Sequence, residues 1–241
     1  MHYYAITNPG SRHVNEDCLG VIEHSDLACF VVADGLGGHG KGEVASQLAV
    51  KAFDEVFSSP MEKPLPDLLS DAFRRAQSDI LKEQARTNMS SQMKTTVVVL
   101  AVRNGELAWG HLGDSRLYAF TRNKVKSRTL DHSVPQMLAI SREIREKDIR
   151  GHQDRNRLLR VLGVSEDPPR FELSELQRTD KFQAFLLCSD GFWELITEKE
   201  MEKLLKKSHS PNEWMEQMRA IVEKRGLGTD MDNYSAIAVF L

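Results

Sequence analysis

Residues 31–46 of this chain read VVADGLGGHGKGEVAS, a short apolar run that ends at Asp34 and is followed directly by glycines. A β-branched run of this length is typical of a buried strand, and glycine permits the tight turns that other residues adopt poorly. Gly35, Gly37 and Gly40 also satisfy the G-x-G-x-x-G pattern, and the stretch nearly completes a phosphate-binding loop. Three interpretations follow: two kinds of nucleotide site, and a turn that presents the Asp34 carboxylate to a metal ion.

The order of the predicted elements disfavours both nucleotide sites. Apolar residues recur at helical spacing over 43–57 and again over 66–86, so two helices follow the first strand in succession. A dinucleotide-binding unit needs a second buried strand directly after its first helix. A phosphate-binding loop needs a magnesium-binding hydroxyl where this chain has Gly42. We therefore favour the turn beside a metal ion.

Short apolar runs elsewhere in the chain predict further strands, and an Asn-Gly pair between two of them predicts a hairpin. Part of the sheet structure is therefore expected to be antiparallel. With 41% hydrophobic and 28% charged residues and no shift in composition, we expect one domain over 1–241. The predicted strands are 27–33, 95–102, 106–111, 116–120, 185–188 and 234–240, and further helices are predicted at 134–149, 198–207 and 211–225.

Charge and cysteine content exclude several classes of partner and location. The net charge of −3, without a clustered basic excess, disfavours nucleic acid and anionic membranes as partners. The three cysteines have no metal-ligand spacing and are expected to be reduced, buried thiols. No segment approaches the roughly 20 apolar residues of a membrane-spanning helix, and the first residues do not resemble a signal peptide. We therefore expect a cytoplasmic protein.

Aspartates stand at the ends of several apolar runs. One aspartate beside glycine is usually a turn residue that accepts backbone hydrogen bonds. Several at one sheet edge would gather negative charge that only protons or cations can neutralise. Carboxylates without a cysteine or histidine cluster favour Mg²⁺ or Mn²⁺ over Zn²⁺. The aspartates are Asp34, Asp114, Asp190 and Asp232, with the sequence NED at Asn15, Glu16 and Asp17 as a further acidic group.

Such a centre is suited to phosphoester hydrolysis. Two adjacent ions can activate a water molecule and stabilise the charge on a phosphoryl group under attack. Arg12, in SRHVNED, is a candidate to bind the phosphate, because a guanidinium donates two parallel hydrogen bonds. Covalent mechanisms are less well supported, since no cysteine is followed by arginine six residues later and no G-x-S-x-G motif occurs.

In order along the chain, the motifs RHVNED, VVADGLGGHGKGEVAS, TTVVVLAV, GHLGDSRLY, LDHS, RNRLLRVLG, LLCSDGFWE and DNYSAIAV resemble those of one family. This family is the PPM-type (type 2C) metal-dependent protein serine/threonine phosphatases, in their bacterial stand-alone form. The resemblance covers nearly the whole chain. It implies an α+β fold, a β-sandwich of two antiparallel sheets flanked by helices on both sides (four-layer αββα), with the metal site in a cleft at one end.

The resemblance also implies roles for individual residues around two tightly bound Mn²⁺ or Mg²⁺ ions and a weaker third ion. Arg12 would hold the substrate phosphate, and Asn233 would orient its neighbouring ligand. The metal ligands would be Asp34 between the two ions, the Gly35 carbonyl, Asp190 and Asp232, with Glu16 and Asp17 acting mostly through bound waters and Asp114 on the third ion.

Three regions of the chain differ from the family pattern or allow two interpretations. Leu36 stands where many eukaryotic members have a histidine proposed as the general acid. His39 fits the bacterial DGxGGH form and is either that acid or a structural residue of the loop. Lys94 replaces the small residue that usually precedes the two threonines. The segment 132–169 is either a pair of solvated helices or, as the resemblance favours, a flap beside the active site.

The resemblance therefore predicts hydrolysis of phosphoserine and phosphothreonine in proteins through a hydroxide that bridges two metal ions. Its partners would be phosphorylated proteins, with a eukaryotic-like Ser/Thr kinase as the opposing enzyme, and the protein would be a monomer. Two other functions stay open: a catalytically inactive phosphatase-like scaffold, and a metal-dependent hydrolase of small phosphate esters.

Overall fold

The computed structural model describes residues 1–37, 41–59, 62–88, 92–165 and 168–241. The strands are β1 (His2–Asn8), β2 (Asp17–His24), β3 (Leu27–Leu36), β4 (Lys94–Thr95), β5 (Val97–Arg103), β6 (Glu106–Leu112), β7 (Arg116–Thr121), β8 (Lys124–Arg128), β9 (Glu172–Leu173), β10 (Gln177–Arg178), β11 (Ala184–Cys188) and β12 (Tyr234–Phe240). The helices are α1 (Lys41–Phe57), α2 (Leu65–Thr87), α3 (Val134–Ile140), α4 (Asp190–Trp193), α5 (Glu198–Leu205) and α6 (Pro211–Gly226).

The strands form two antiparallel sheets. One sheet has five strands in the order β1-β12-β11-β7-β8. The other has seven strands, with the order β10-β6-β5-β3-β2 and with β4 beside β3 and β9 beside β6. The predicted hairpin joins β5 to β6, where Asn104 and Gly105 have φ values of 52° and 78°. Two consecutive left-handed residues match the twist of an antiparallel pair, which explains the Asn-Gly choice.

The two sheets stack face to face, and strand β3 shows why. Cys29, Val31 and Ala33 point towards the helices, whereas Phe30 and Val32 point towards the second sheet. Side chains alternate between the faces of a strand, so a strand buried on both faces must be apolar throughout. The continuous apolar run of this part of the sequence therefore places β3 in the centre of the molecule.

Helices cover both outer faces of the sandwich. α1 and α2 pack on the seven-stranded sheet through a core that includes Phe53 and Phe73. α5 and α6 pack on the five-stranded sheet around the fully buried Trp214. The predicted four-layer αββα arrangement is thus confirmed. In the part of the chain that the structure describes, no helix is both long enough and apolar enough to cross a bilayer.

The prediction of one helix over 134–149 is wrong. The helix α3 ends at Ile140, Arg142 adopts a left-handed φ of 66°, and Glu146–Asp148 form a single 3₁₀ turn. A left-handed residue cannot continue a right-handed helix, so the helical spacing of this segment is not used beyond Ile140. The sequence also lacked a clear signal for β1, β2 and β8, because these strands mix polar and apolar residues and β8 is an edge strand.

Candidate active site

Asp34 lies at one end of the sandwich and its backbone is held from two sides. Asp17, the first residue of β2, pairs in register with Asp34 on β3. The backbone N–H of Thr96 donates to the Asp34 carbonyl at 2.9 Å, and the Thr95 hydroxyl donates to the same oxygen at 2.9 Å. Lys94, which replaces the usual small residue, pairs with Leu36 without displacing this contact. The two threonines therefore fix where the Asp34 carboxylate emerges.

Gly35 is required by a close approach of two backbones. A Cβ atom at this position would lie 2.3 Å from the Gly42 carbonyl oxygen and 2.6 Å from the Glu16 carbonyl oxygen. The Gly35 N–H donates to that Glu16 carbonyl at 3.1 Å. The glycine-rich stretch thus brings the start of α1 against the end of β3. Since α1 leads directly to α2 and the described strand pairs are antiparallel, the topology agrees with the rejection of a dinucleotide site.

Three further aspartates reach the same end of the sandwich from the five-stranded sheet and its connections. Asp190 lies two residues after the end of β11 and begins α4. Asp232 precedes β12, which is the neighbour of β11. Asp114 lies in the turn between β6 and β7. The ends of adjacent antiparallel strands meet at one edge, so residues far apart in sequence come together here.

These residues line one cleft of about 420 Å³. The predicted site residues on its wall are Arg12, Glu16, Asp34, Gly35, Asp114, Asp190, Asp232 and Asn233, and Leu36 lies there too. Asp17 is not on the wall; it is buried behind Asp34 and only 9% exposed. His39 lies outside the described residues.

Burial and neighbouring charges raise the pKa of two of the carboxylates that line the cleft. For Asp34 the pKa lies well above its usual range because of burial, and the charges of Asp190, Asp17, Asp114 and Asp232 add to this effect. For Asp190, burial and the charge of Asp232 raise the pKa to about 6. A set of carboxylates this close is stable only when protons or cations compensate the charge.

Asp17 and Asp114 extend this pattern. Burial raises the pKa of Asp17 to about 7, although hydrogen bonds from Ser235 and Ser189 act in the opposite direction. For Asp114, burial followed by the charge of Asp190 raises the pKa well above its usual range.

The donor set fits Mg²⁺ or Mn²⁺. Asp17 accepts a hydrogen bond from the Ser189 hydroxyl at 2.8 Å through Oδ2, whereas its Oδ1 is buried with no hydrogen-bond partner among the described residues. A buried carboxylate oxygen without a donor is costly unless a cation or a bound water completes it. Carboxylates and a peptide carbonyl are the oxygen ligands that hard divalent cations prefer.

Arg12 lies at the mouth of the cleft. Its guanidinium faces Asp232 through two nitrogens, with separations of 3.2 and 3.3 Å, and Nη1 lies 3.5 Å from Asp230. Asn233 holds the segment that carries Arg12: its Nδ2 donates to the carbonyls of Pro9 and Val14 at 2.9 and 3.0 Å. The Asn233 N–H also donates to Asp232 Oδ1 at 2.8 Å, so this residue contacts both the loop that carries Arg12 and the neighbouring aspartate.

Asn156 and Leu158 also line the cleft, although neither was predicted as a site residue. They belong to the segment 132–169, whose motif RNRLLRVLG was the available signal. This segment is not a pair of solvated helices. Arg150 donates to the Trp193 carbonyl at 2.7 Å, and Arg155 pairs with Glu194 at 2.9 Å, so α4 anchors the segment beside the cleft.

A second group of metal-ligand residue types, His111, His132 and Glu172, is not suited to bind a cation. The two imidazole rings stack at 4.6 Å with planes only 10° apart, so their in-plane lone pairs do not converge on one point. His132 Nδ1 accepts from the Gly113 N–H at 3.1 Å, so its Nε2 carries the proton that points to Glu172. Burial lowers the pKa of His132 to about 4, which keeps the ring neutral.

Comparison with known proteins identifies the family. The sequence profile described as protein phosphatase 2C matches residues 10–232. The serine/threonine phosphatase stp of Listeria welshimeri is 33% identical over 223 residues, covering 88% of this chain and 86% of the relative.

Two solved structures share the architecture. The serine/threonine phosphatase Stp1 of Staphylococcus aureus has a TM-score of 0.88 at 23% identity, covering 99% of this chain and 94% of its own, which shows the fold. The catalytic domain of the phosphatase PstP, solved with two manganese ions, has a TM-score of 0.82 at 25% identity and covers 98% of this chain and 96% of its own. From the profile match and these relatives, the chain belongs to the protein phosphatase 2C family of metal-dependent serine/threonine protein phosphatases.

Proposed function

We propose that this protein uses its acidic cleft to hydrolyse phosphoserine and phosphothreonine in other proteins, with Mn²⁺ or Mg²⁺ as cofactor. The observation that carries this proposal is the convergence of Asp17, Asp34, Asp114, Asp190 and Asp232 at one end of the sandwich, where burial and neighbouring charges raise the pKa of the first four. A scaffold has no need of such an unfavourable cluster. The names of the phosphatase relatives support the class of substrate.

The side chains divide into groups that hold the ions and a group that holds the substrate. Two bound divalent cations would supply a water of lowered pKa and offset the charge of the phosphoryl group. Arg12, at the mouth of the cleft, would orient the phosphate by paired hydrogen bonds. His39 is our candidate for the general acid. The ions would be held by Asp34, the Gly35 carbonyl, Asp190 and Asp232, with Glu16 and Asp17 contacting their waters and Asp114 on a weaker third ion.

We further propose that the segment 132–169 is a flap that borders the substrate. Asn156 and Leu158 bring it to the cleft wall, and Arg150 and Arg155 tie it to α4, which begins with Asp190. A phosphoprotein that enters the cleft would therefore contact this segment beside the phosphate.

The proposal extends to partners and location. The phosphoprotein substrates would be products of a eukaryotic-like Ser/Thr kinase. The active form would be a monomer. The three cysteines are unpaired, as expected of a protein in a reducing compartment such as the cytoplasm.

The decisive experiment measures phosphate release from a phosphothreonine peptide by the wild type and Asp190→Asn, with Mn²⁺ and then with excess EDTA. We expect turnover by the wild type with Mn²⁺, its loss in EDTA, and a decrease of at least about a hundredfold in Asp190→Asn. Asp180→Asn, at a side chain that is 66% exposed, is the matched control and should retain wild-type activity.

Two results would contradict the proposal. Turnover of p-nitrophenyl phosphate without turnover of any phosphopeptide would indicate a hydrolase of small esters. Binding of Mn²⁺ by well-folded protein without turnover of either substrate would indicate a scaffold.

A further inference from the structure

The side chain of His132 contacts the turn that carries Asp114 directly before the aspartate, whereas the Trp193 indole N–H donates to the carbonyl of Asp114 itself at 3.0 Å. Gly113 has a φ of +111°, and its N–H donates to Nδ1 of His132 at 3.1 Å. In return, the backbone N–H of His132 donates to the Gly113 carbonyl at 2.8 Å. His132 therefore binds both polar groups of Gly113, the residue directly before Asp114, and only 7% of its surface is exposed.

The ring of His132 is fixed in the tautomer that this contact needs. Because Nδ1 accepts from a backbone N–H, Nε2 must carry the proton, and this nitrogen lies 3.1 Å from Glu172 Oε1. The same carboxylate oxygen lies 3.3 Å from Arg160 Nη1, and His111 stacks on the ring. These contacts orient the lone pair of Nδ1 towards Gly113.

His132 is the first residue of the segment 132–169 and pairs with a later part of it. Its carbonyl accepts from the Leu159 N–H at 2.7 Å, and the next residue, Ser133, pairs with Leu158. Leu158 itself lines the cleft together with Asp114. His132 therefore connects the cleft-lining part of this segment to the turn of a candidate metal ligand.

We infer that His132 is a positioning residue for Asp114: its Nδ1 holds the Gly113–Asp114 turn in the geometry that the weaker third ion requires. This inference rests on the proposed function, which assigns Asp114 to that ion. His132 contacts the backbone before the ligand and is not among the residues that line the cleft. Partners of this kind typically change metal affinity by roughly 10- to 100-fold when removed.

Calorimetric titration with Mn²⁺ tests the inference without relying on turnover. We expect His132→Ala to weaken the weakest Mn²⁺ binding step at least about tenfold and to leave the tighter steps within about twofold of wild type. His132→Asn should restore that step to within about threefold, because Oδ1 of asparagine takes the place of Nδ1 as acceptor. His209→Asn, in the exposed turn before α6, is the control and should bind Mn²⁺ like the wild type.

The outcomes separate this inference from the proposed function. Asp114→Asn should lose the same binding step; if it binds Mn²⁺ like the wild type, both the assignment of Asp114 and the role of His132 are wrong. If Asp114→Asn loses the step and His132→Ala keeps it, the inference alone fails. If His132→Asn is as weak as His132→Ala while both have the unfolding midpoint of the wild type, the acceptor role is wrong. Phosphopeptide turnover by the wild type tests the proposed function separately.

Discussion

Arg12 shows how a single residue near the substrate depends on distant parts of the chain. Its guanidinium pairs with Asp232, which lies 220 residues away in sequence, and the loop that carries it is tied down by Asn233. About half of the side chain is still exposed, at 44%. Arg12 therefore has a fixed position at the mouth of the cleft and an open face towards an incoming phosphate.

We predict that Arg12→Ala raises KM for a phosphothreonine peptide by roughly 10- to 100-fold, since charged hydrogen bonds contribute about 1.5–3 kcal/mol. Arg12→Lys should recover only part of this, because an ammonium group lacks the paired donors. Steady-state kinetics at saturating Mn²⁺ gives the values. Mn²⁺ affinity should not fall, because Arg12→Ala removes the positive charge beside the Asp232 carboxylate and leaves the carboxylate itself in place. An unchanged KM in Arg12→Ala would argue against phosphate binding by this residue.

At the scale of elements, the site depends on how closely α1 approaches the end of β3. The backbones of Gly35 and Gly42 are in close contact, and the Gly35 N–H donates a hydrogen bond to the carbonyl of Glu16, the residue before β2. Packing between a helix and two strands therefore explains the glycines at positions 35 and 42. The same packing sets where the Gly35 carbonyl and the Asp34 carboxylate emerge.

We predict that Gly35→Ala lowers the free energy of unfolding by about 1–3 kcal/mol, because its Cβ would lie 2.3 Å from the Gly42 carbonyl and the backbone must shift. The same shift should weaken Mn²⁺ binding. Gly151→Ala is the matched control, since nothing lies within 4 Å of a Cβ at that position. Urea denaturation of both variants makes the comparison, and equal stability of the two would contradict the packing argument.

At the scale of the whole molecule, the acidic cleft makes the free energy of unfolding depend on pH and on metal binding. The folded-state pKa values of Asp17 and Asp190, about 7 and about 6, lie above the ordinary value of 3.8. Without metal, the folded protein therefore binds more protons than the unfolded chain between pH 4 and these values. The contribution of these groups to the free energy of unfolding falls as pH rises through that window, by about 1.4 kcal/mol per pKa unit.

We predict that, in EDTA, Asp190→Asn gains stability relative to the wild type as pH rises from 5 to 8. Urea denaturation at each pH measures the difference in the free energy of unfolding between the two proteins. Because both proteins contain His132, whose lowered pKa has the opposite effect on stability, its contribution cancels in this difference. Mn²⁺ should stabilise the wild type more at pH 8 than at pH 5, because binding must displace protons. A difference between the two proteins that does not change with pH would refute this linkage.

The sequence by itself determined the central strand, the two long helices after it, and the acidic residues at the strand ends. These features depend on local periodicity and turn chemistry, which a short window of residues contains. The ordered motifs extended this to the four-layer architecture. The sequence did not reveal the early end of α3 at Ile140, which depends on the left-handed Arg142.

Only the tertiary structure decided which side chains meet. The burial of Asp17 behind Asp34, the place of Asn156 and Leu158 on the cleft wall, and the contact between His132 and Gly113 join residues that are distant in sequence. Such contacts are set by strand register and by the stacking of two sheets, and neither leaves a periodic signal in any one segment. The residue types in the sequence therefore indicated a site for a divalent cation and a phosphate, whereas long-range packing determined how those residues are arranged in the cleft.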